Sequence, residues 1–90
     1  MVKIFNDLSN ANDILNEVLT NDIVGISGSR TAVRQKLKEV YILAERGAYE
    51  DVVALSTYDH PDTELAYIYN QKFYDNNKAK QEVIDSYDKK

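Results

Sequence analysis

The sequence predicts an all-α protein, an antiparallel four-helix bundle that forms one domain over residues 1–90. Two observations lead to this prediction. The chain has one proline and three glycines, fewer turn-forming residues than a protein built from many short strands would need. Its apolar residues also recur at three- and four-residue steps, which is the spacing of one face of an amphipathic helix. A chain of this length has room for a single hydrophobic core.

The first helix is expected to run from about Ile4 or Asn6 to Thr20. Its apolar face would consist of Leu8, Ala11, Ile14, Leu15, Val18 and Leu19. The segment that follows, from Ile23 to Ser29, contains two glycines, which permit backbone angles that other residues resist. We interpret this segment as an irregular loop whose aliphatic side chains pack against the end of the core.

The second helix is the clearest predicted element, with Ser29 as its N-cap and Arg46 in its last turn. Its apolar stripe would consist of Val33, Leu37, Val40 and Ala44, widened by Tyr41. Gly47 is then expected to take the left-handed conformation that commonly ends a helix.

A third helix is expected to begin near Tyr49 and to break near Pro61, because proline lacks a backbone donor and disfavours helix at the residue before it. It would resume through Leu65 to Phe73. The last helix is predicted from about Asp75 to Tyr87, with Ala79, Val83 and Ile84 on its apolar side. Four antiparallel helices with short connections pack most simply as a bundle.

The composition limits the chemistry that the protein can perform. There is no cysteine, which excludes disulfides and thiolate metal ligands, and a domain this small without disulfides is expected in the cytoplasm. No apolar run is long enough to span a membrane. The only histidine, His60, has no second histidine or cysteine to share a metal with. We therefore expect no enzyme: no catalytic residue, no metal and no cofactor.

Two alternatives of another class start from the same glycine-containing segment. Gly25 and Gly28 precede a helix, and such a loop can hold a phosphate at the helix N-terminus, which predicts nucleotide or flavin binding. The segment also resembles the turn of a helix-turn-helix regulator. Arg30, Arg34 and Lys38 follow at four-residue steps and would form a basic face for a DNA backbone. The net charge of −4 makes nucleic acid an unfavourable partner, and the ridge would otherwise be solvated or face acidic side chains.

Tyrosine is the unusual residue of this chain. There are seven tyrosines, and most of them lie in the C-terminal third. Tyrosine fills small cores while its hydroxyl stays hydrated, and it is also enriched where one protein binds another. Tyr67, Tyr69 and Tyr74 cannot all point inward on one helix, so some of them are expected at the surface.

Several segments resemble the enterocin A-type immunity proteins, which protect lactic acid bacteria from pediocin-like bacteriocins. The resemblance covers most of the chain and is carried by four segments: Gln35–Tyr41 with Glu45–Gly47, Tyr49–Val53, Glu64–Asn70 and Val83–Tyr87. The resemblance implies a cytoplasmic four-helix bundle that binds another protein without catalysing a reaction.

The resemblance also implies a partner and a binding surface. The partner would be a bacteriocin-bound sugar permease of the mannose type, engaged at the inner face of the membrane. The C-terminal half of such proteins largely sets which bacteriocin is resisted. The residues expected to contact the partner are therefore the aromatic ones of that half: Tyr67, Tyr69, Phe73, Tyr74 and Tyr87.

Overall fold

A computed structural model describes residues 2–20, 22–59 and 63–88 of the chain. Strands and helices alternate through its first half and a strand pair follows. The elements are β1 (Lys3–Asn6), α1 (Ala11–Leu19), β2 (Val24–Ser29), α2 (Arg30–Arg46), β3 (Val52–Asp59), β4 (Thr63–Asn70) and α3 (Asn76–Asp88).

The four strands form one mixed sheet in the order β1-β2-β4-β3. β1 and β2 are parallel and are joined by α1, whereas β4 is antiparallel to both β2 and β3. A register shift between Ser56 and Tyr58 marks a bulge in β3. Among the described residues, β1 and β3 are the two edges of the sheet.

Helices cover both faces of this sheet. The side chains of α1 and α2 pack on one face against Val24, Ile26 and Ile68, and this is the larger of two hydrophobic clusters. On the other face Ala79 of α3 is buried with Tyr67. The central strands are therefore buried on both sides, which requires apolar residues at consecutive positions rather than at alternate ones.

The predicted four-helix bundle is wrong, because the chain forms an α/β fold with three helices and a four-stranded sheet in the residues described. The segment read as a packed loop is β2, in the middle of that sheet. Val24 and Ile26 are fully buried against α1 and α2. Gly25 faces the other side of the sheet, where an added Cβ would lie 3.1 Å from the Tyr67 ring. Gly25 is therefore a site of close packing between strands, not a loop residue.

The predicted third helix is also wrong, because its two halves are the antiparallel strands β3 and β4. Ala66 and Ile68 face α1 and α2, while Tyr67 and Tyr69 face α3. Burial on both faces produces a run of apolar residues that matches no two-residue alternation. The break expected near Pro61 lies outside the described residues.

The first predicted helix is correct only in its second half. α1 begins after Asn10, whose side-chain oxygen accepts a hydrogen bond from the Asn12 N–H at 2.8 Å. The segment before it, Lys3–Asn6, is strand β1, and Leu8 is fully outside the core with 90% of its surface exposed.

The second and last helices are confirmed by the structure. Ser29 caps α2 by accepting a hydrogen bond from the Ala32 N–H, and Asp75 accepts one from the Lys78 N–H at the start of α3. The predicted left-handed glycine is displaced by one residue, since Gly47 has φ −88° and Ala48 has φ 59°. The predicted N-cap Ser29 is thus confirmed, whereas the left-handed residue is Ala48, which carries a Cβ, and not the predicted Gly47.

Candidate functional site

Two regions at opposite ends of the sheet contain the candidate functional residues. The first, which we call the polar end, lies where β1 and β2 finish and consists of Asp7, Gly28, Ser29, Arg34 and Glu64. In open α/β sheets, ligands commonly bind beyond the carboxyl ends of parallel strands. The second region lies where α2 ends and β3 begins.

The anion site predicted around Gly28 is occupied by one of the protein's own side chains. A Cβ at Gly28 would lie 2.7 Å from Oδ2 of Asp7, so the Asp7 carboxylate sits directly beside the residue that precedes the N-cap of α2. A negative charge is favourable at that end of the helix dipole. The same charge would repel a phosphate, so this geometry does not favour the nucleotide or flavin hypothesis.

The basic face predicted on α2 is partly engaged within the fold. Arg34 donates from Nε to Oε2 of Glu64 at 3.3 Å and from Nη2 to Oε1 at 3.2 Å, and Glu64 is buried on β4. This bidentate geometry is the strongest form of a side-chain ion pair. Lys38 is exposed and Arg30 is half-buried. The structure therefore does not bring the three cations together as one free phosphate-binding ridge.

The helix-turn-helix geometry is absent from this region, because the residues read as its turn form β2. The α2 helix follows directly from the end of a buried strand and packs against α1 and the sheet. The DNA-binding hypothesis therefore loses the motif on which it depended, although its basic residues are correctly placed on α2.

The aromatic residues expected to contact a partner differ in how far the fold buries them. Tyr67 and Tyr69 are two residues apart on β4 and therefore point to the same face of the sheet. Both are buried there in the cluster that includes Ala79 of α3. Phe73 is exposed and Tyr74 is half-buried against α3. The side chain of Tyr87 lies outside the described residues. Of the described members, Phe73 and the outer part of Tyr74 are accessible to another molecule.

Tyr69 and Tyr74 form the contact between β4 and α3. Their rings meet edge to face with centroids 6.5 Å apart, and the Tyr69 hydroxyl donates to Oδ1 of Asn76 at 3.2 Å. Burial raises the pKa of both phenols above the ordinary value, and the negative charge of Asp75 adds to this for Tyr69. The burial of Tyr69, its ring contact with Tyr74 and its hydrogen bond to Asn76 give these tyrosines a structural role.

The second region is a groove of about 530 Å³, here called the α2–β3 groove. It is bounded by the last turns of α2, the connection that follows and the first residue of β3. Its lining consists of Tyr41, Ala44, Glu45, Ala48, Tyr49, Glu50 and Val52. Two tyrosines and two glutamates thus surround a small aliphatic floor, and the lining contains no cation.

Two tyrosines form the walls of the α2–β3 groove. Tyr41 and Tyr49 have 39% and 46% of their surfaces exposed, and the neighbouring Ile42 has 41% exposed. The Tyr49 ring covers Gly47, where an added Cβ would lie 2.4 Å from Cε2 of the ring. Half of the six large hydrophobic side chains that are exposed among the described residues therefore lie at this end of α2.

Tyr41 also contacts the edge strand. Burial raises the pKa of its phenol, while a hydrogen bond from the backbone of Ala54 lowers it. A hydrogen bond that lowers the pKa of a phenol is donated to its oxygen, so the donor is the Ala54 N–H. The hydroxyl of Tyr41 thus lies at the outer edge of β3.

The backbone turn beneath the groove fixes the position of Tyr49. The Tyr49 N–H donates to the Ala44 carbonyl at 2.9 Å and the Ala48 N–H to the Glu45 carbonyl at 3.1 Å. These two bonds are those of a Schellman motif, with Ala48 in its left-handed position. Sequence reasoning assigned Tyr41 to the core and Tyr49 to a helix start. The signal that could have found them was the Glu-Arg-Gly helix end with a tyrosine on either side.

The described residues hold no group of three or more His, Cys, Asp or Glu side chains that could bind a metal. His60 lies outside the described residues. None of the helices in residues 2–20, 22–59 and 63–88 combines the length and apolar character that a bilayer crossing requires.

Comparison with known proteins gives no relative from which a function could be transferred. No protein-family model matches the chain, and neither a curated protein nor a solved structure is significantly similar to it. The function must therefore be argued from the geometry of the polar end and the α2–β3 groove.

Proposed function

We propose that this protein is a non-enzymatic interaction module that binds another protein through the α2–β3 groove. The observation that carries the proposal is the exposure of Tyr41 and Tyr49 in the lining of one groove, with the exposed Ile42 next to Tyr41 on α2. Scattered exposed apolar residues are ordinary, but clustered aromatic and aliphatic side chains with a polar rim are typical of a protein-binding surface.

The chemistry of the groove favours binding over catalysis. Its lining offers phenols and carboxylates, but no histidine, lysine or arginine that could act with them as an acid, a base or an electrophile. The lack of cysteine supports a cytoplasmic setting for this interaction.

From the resemblance to the bacteriocin immunity family, this proposal keeps only the expectation that the partner is a protein. The four-helix architecture implied by that resemblance is not the architecture observed. We therefore propose neither a bacteriocin nor a sugar permease as the partner. The basic face of α2 does not favour a nucleic acid instead, because Arg34 is held by Glu64.

Site-specific photocrosslinking in the cells that carry the gene tests the proposal. A photoreactive amino acid replaces Ile42, which adjoins the groove residue Tyr41 on α2, or, as a matched control, Leu8 at the opposite end of the sheet, since both are exposed aliphatic residues. The Ile42 position is expected to give one discrete crosslinked protein, identifiable by mass spectrometry, and this product should be lost when Tyr49→Ser is added. Equal crosslinking from both positions, or none from Ile42, would overturn the proposal.

A further inference from the structure

The edge strand β3 presents backbone groups beside the groove. The Gln71 N–H donates to the Asp51 carbonyl at 2.7 Å, which makes these two residues a hydrogen-bonded pair of the antiparallel ladder. Hydrogen-bonded and non-hydrogen-bonded pairs alternate along such a ladder. In the register Val52 opposite Asn70 and Ala54 opposite Ile68, the N–H and C=O groups of Val52 and Ala54 therefore point away from β4.

Tyr41 protects part of this edge. The Ala54 backbone lowers the pKa of the Tyr41 phenol as a hydrogen-bond partner, which places the hydroxyl beside the outward N–H that an added strand would bind. Proteins commonly guard edge strands in this way, with charges, bulges or covering side chains, because an open edge pairs with other chains. The bulge at Ser56 to Tyr58 interrupts the edge further along, so the stretch open to pairing is the start of β3, next to the groove.

We infer that the partner binds as an extended peptide segment carrying basic side chains, which adds as a strand to the outer edge of β3 at Val52 to Ala54. This inference deepens the proposed function and rests on it. The Tyr41 hydroxyl is displaced from the Ala54 N–H when the peptide pairs. Alternate peptide side chains then point into the α2–β3 groove, between Tyr41 and Tyr49.

The charge of the groove selects a basic occupant. Glu45 and Glu50 are both exposed at its rim, and the lining has no cation. The nearby Lys72 pairs with Asp51 at 3.7 Å and does not belong to the lining. Lysine or arginine side chains of a peptide would therefore meet opposite charge on the groove side of the new strand.

The same charges disfavour a second copy of this chain as the occupant. Pairing β3 with β3 of another copy would bring two glutamate-rimmed grooves together, in a protein with a net charge of −4. Like charges placed across an interface oppose association. A second copy of this chain would therefore be repelled at this edge, whereas a basic peptide strand matches both the outward backbone groups of β3 and the negative charge of the groove.

Selection from a random dodecamer peptide library on the immobilised full-length protein provides the probe. Selected sequences are expected to be enriched in lysine and arginine, and the best peptide should shift and protect the backbone amides of Val52 and Ala54 in NMR spectra. A selection without basic enrichment, or one that yields no binder, overturns the inference. So does a peptide that shifts amides of β1 instead. Crosslinking at Ile42 would still support the proposed function in each of these cases.

Backbone methylation of the selected peptide separates strand addition from simple side-chain docking. Methyl groups on the peptide nitrogens that face β3 should abolish binding, while methyl groups on the alternate nitrogens should leave it nearly unchanged. Equal tolerance of both patterns would contradict strand addition.

Two variants test the roles assigned to the protein's own side chains. Tyr41→Phe removes the competing hydroxyl and should tighten peptide binding by roughly 5-fold, the worth of one ordinary hydrogen bond. The double variant Glu45→Gln, Glu50→Gln should weaken it by roughly 3- to 10-fold at low salt. A matched control, Glu39→Gln, changes an exposed glutamate of α2 outside the groove lining and should leave the affinity unchanged.

Discussion

The polar end of the sheet pairs its charged groups within the fold, whereas the opposite end leaves aromatic side chains and strand backbone exposed. Arg34 binds the buried Glu64, and Asp7 lies against Gly28 at the start of α2. At the α2–β3 groove, Tyr41 and Tyr49 are exposed. The two ends both have residues of the kinds that usually form sites, but only the α2–β3 groove has exposed aromatic side chains in its lining.

This difference shows that residue type alone does not identify a functional site. The glycines, serines and arginines of the polar end are the residues that sequence motifs for phosphate binding emphasise. In the folded protein Gly28 lies against Asp7, Ser29 caps α2 and Arg34 binds Glu64. The groove carries no motif, and its residues lie near each other only because the Schellman turn reverses the chain between α2 and β3.

The largest expected effect comes from breaking the polar end at Arg34. The variant Arg34→Ala removes a bidentate ion pair from a carboxylate that stays buried, and should lower the free energy of unfolding by about 2–3 kcal/mol. This value is at the lower side of such losses because the Arg34 side chain is 62% exposed to screening solvent. Urea denaturation measures the change.

Lys38→Ala is the matched control for this prediction, since Lys38 is an exposed cation one turn further along α2. It should change the stability by no more than about 0.5 kcal/mol. Equal losses from the two variants would show that the Arg34–Glu64 pair has no special role at the polar end.

A smaller loss is expected from Gly28→Ala. Gly28 has φ 154°, a conformation that L-residues rarely adopt, and its new Cβ would press on the Asp7 carboxylate. We expect the free energy of unfolding to fall by about 1–2 kcal/mol, measured by thermal and urea denaturation. Combining the change with Asp7→Ala removes the two closest contacts, those with Oδ2 and Cγ, and should restore some of the loss, leaving the contact with Cβ and the backbone strain. No recovery in the double variant would contradict the close contact.

The smallest effect should be a gain in stability at the opposite end. Ala48 holds the left-handed position of the Schellman turn with φ 59°, where glycine has no steric penalty. Ala48→Gly is therefore expected to raise the free energy of unfolding by about 0.5–1 kcal/mol in urea denaturation.

Gly47→Ala serves as the comparison for Ala48→Gly. Its Cβ would meet the Tyr49 ring, so this variant should lower stability and move the ring off its present position. If Ala48→Gly destabilised the protein instead, the left-handed conformation assigned to Ala48 in the turn before Tyr49 would be incorrect.

The helices with complete capping signals were predicted from local sequence. Ser29 and the stripe of Val33, Val40 and Ala44 determine α2, and Asp75 determines the start of α3. Such signals are local, since a cap satisfies donors within the next three residues and an apolar stripe requires only one covered face.

The strands could not be identified in the same way. In residues 65–69 apolar side chains occupy consecutive positions, because α1 and α2 cover one face of β4 and α3 covers the other. That burial on both faces removes the alternation that marks a strand with one exposed side. The apolar residues of this segment also recur at three- and four-residue steps, which is the pattern of an amphipathic helix.

By itself the sequence determined α2, α3, the absence of cysteine and the net charge of −4. Only the tertiary structure decided that Val24–Ser29 form a central strand, that Arg34 is bound by Glu64 and that Tyr41 lies at the edge of β3. The pairing of β2 with β4 and the Arg34–Glu64 ion pair join residues 30 or more positions apart, and no local pattern records which distant segments meet.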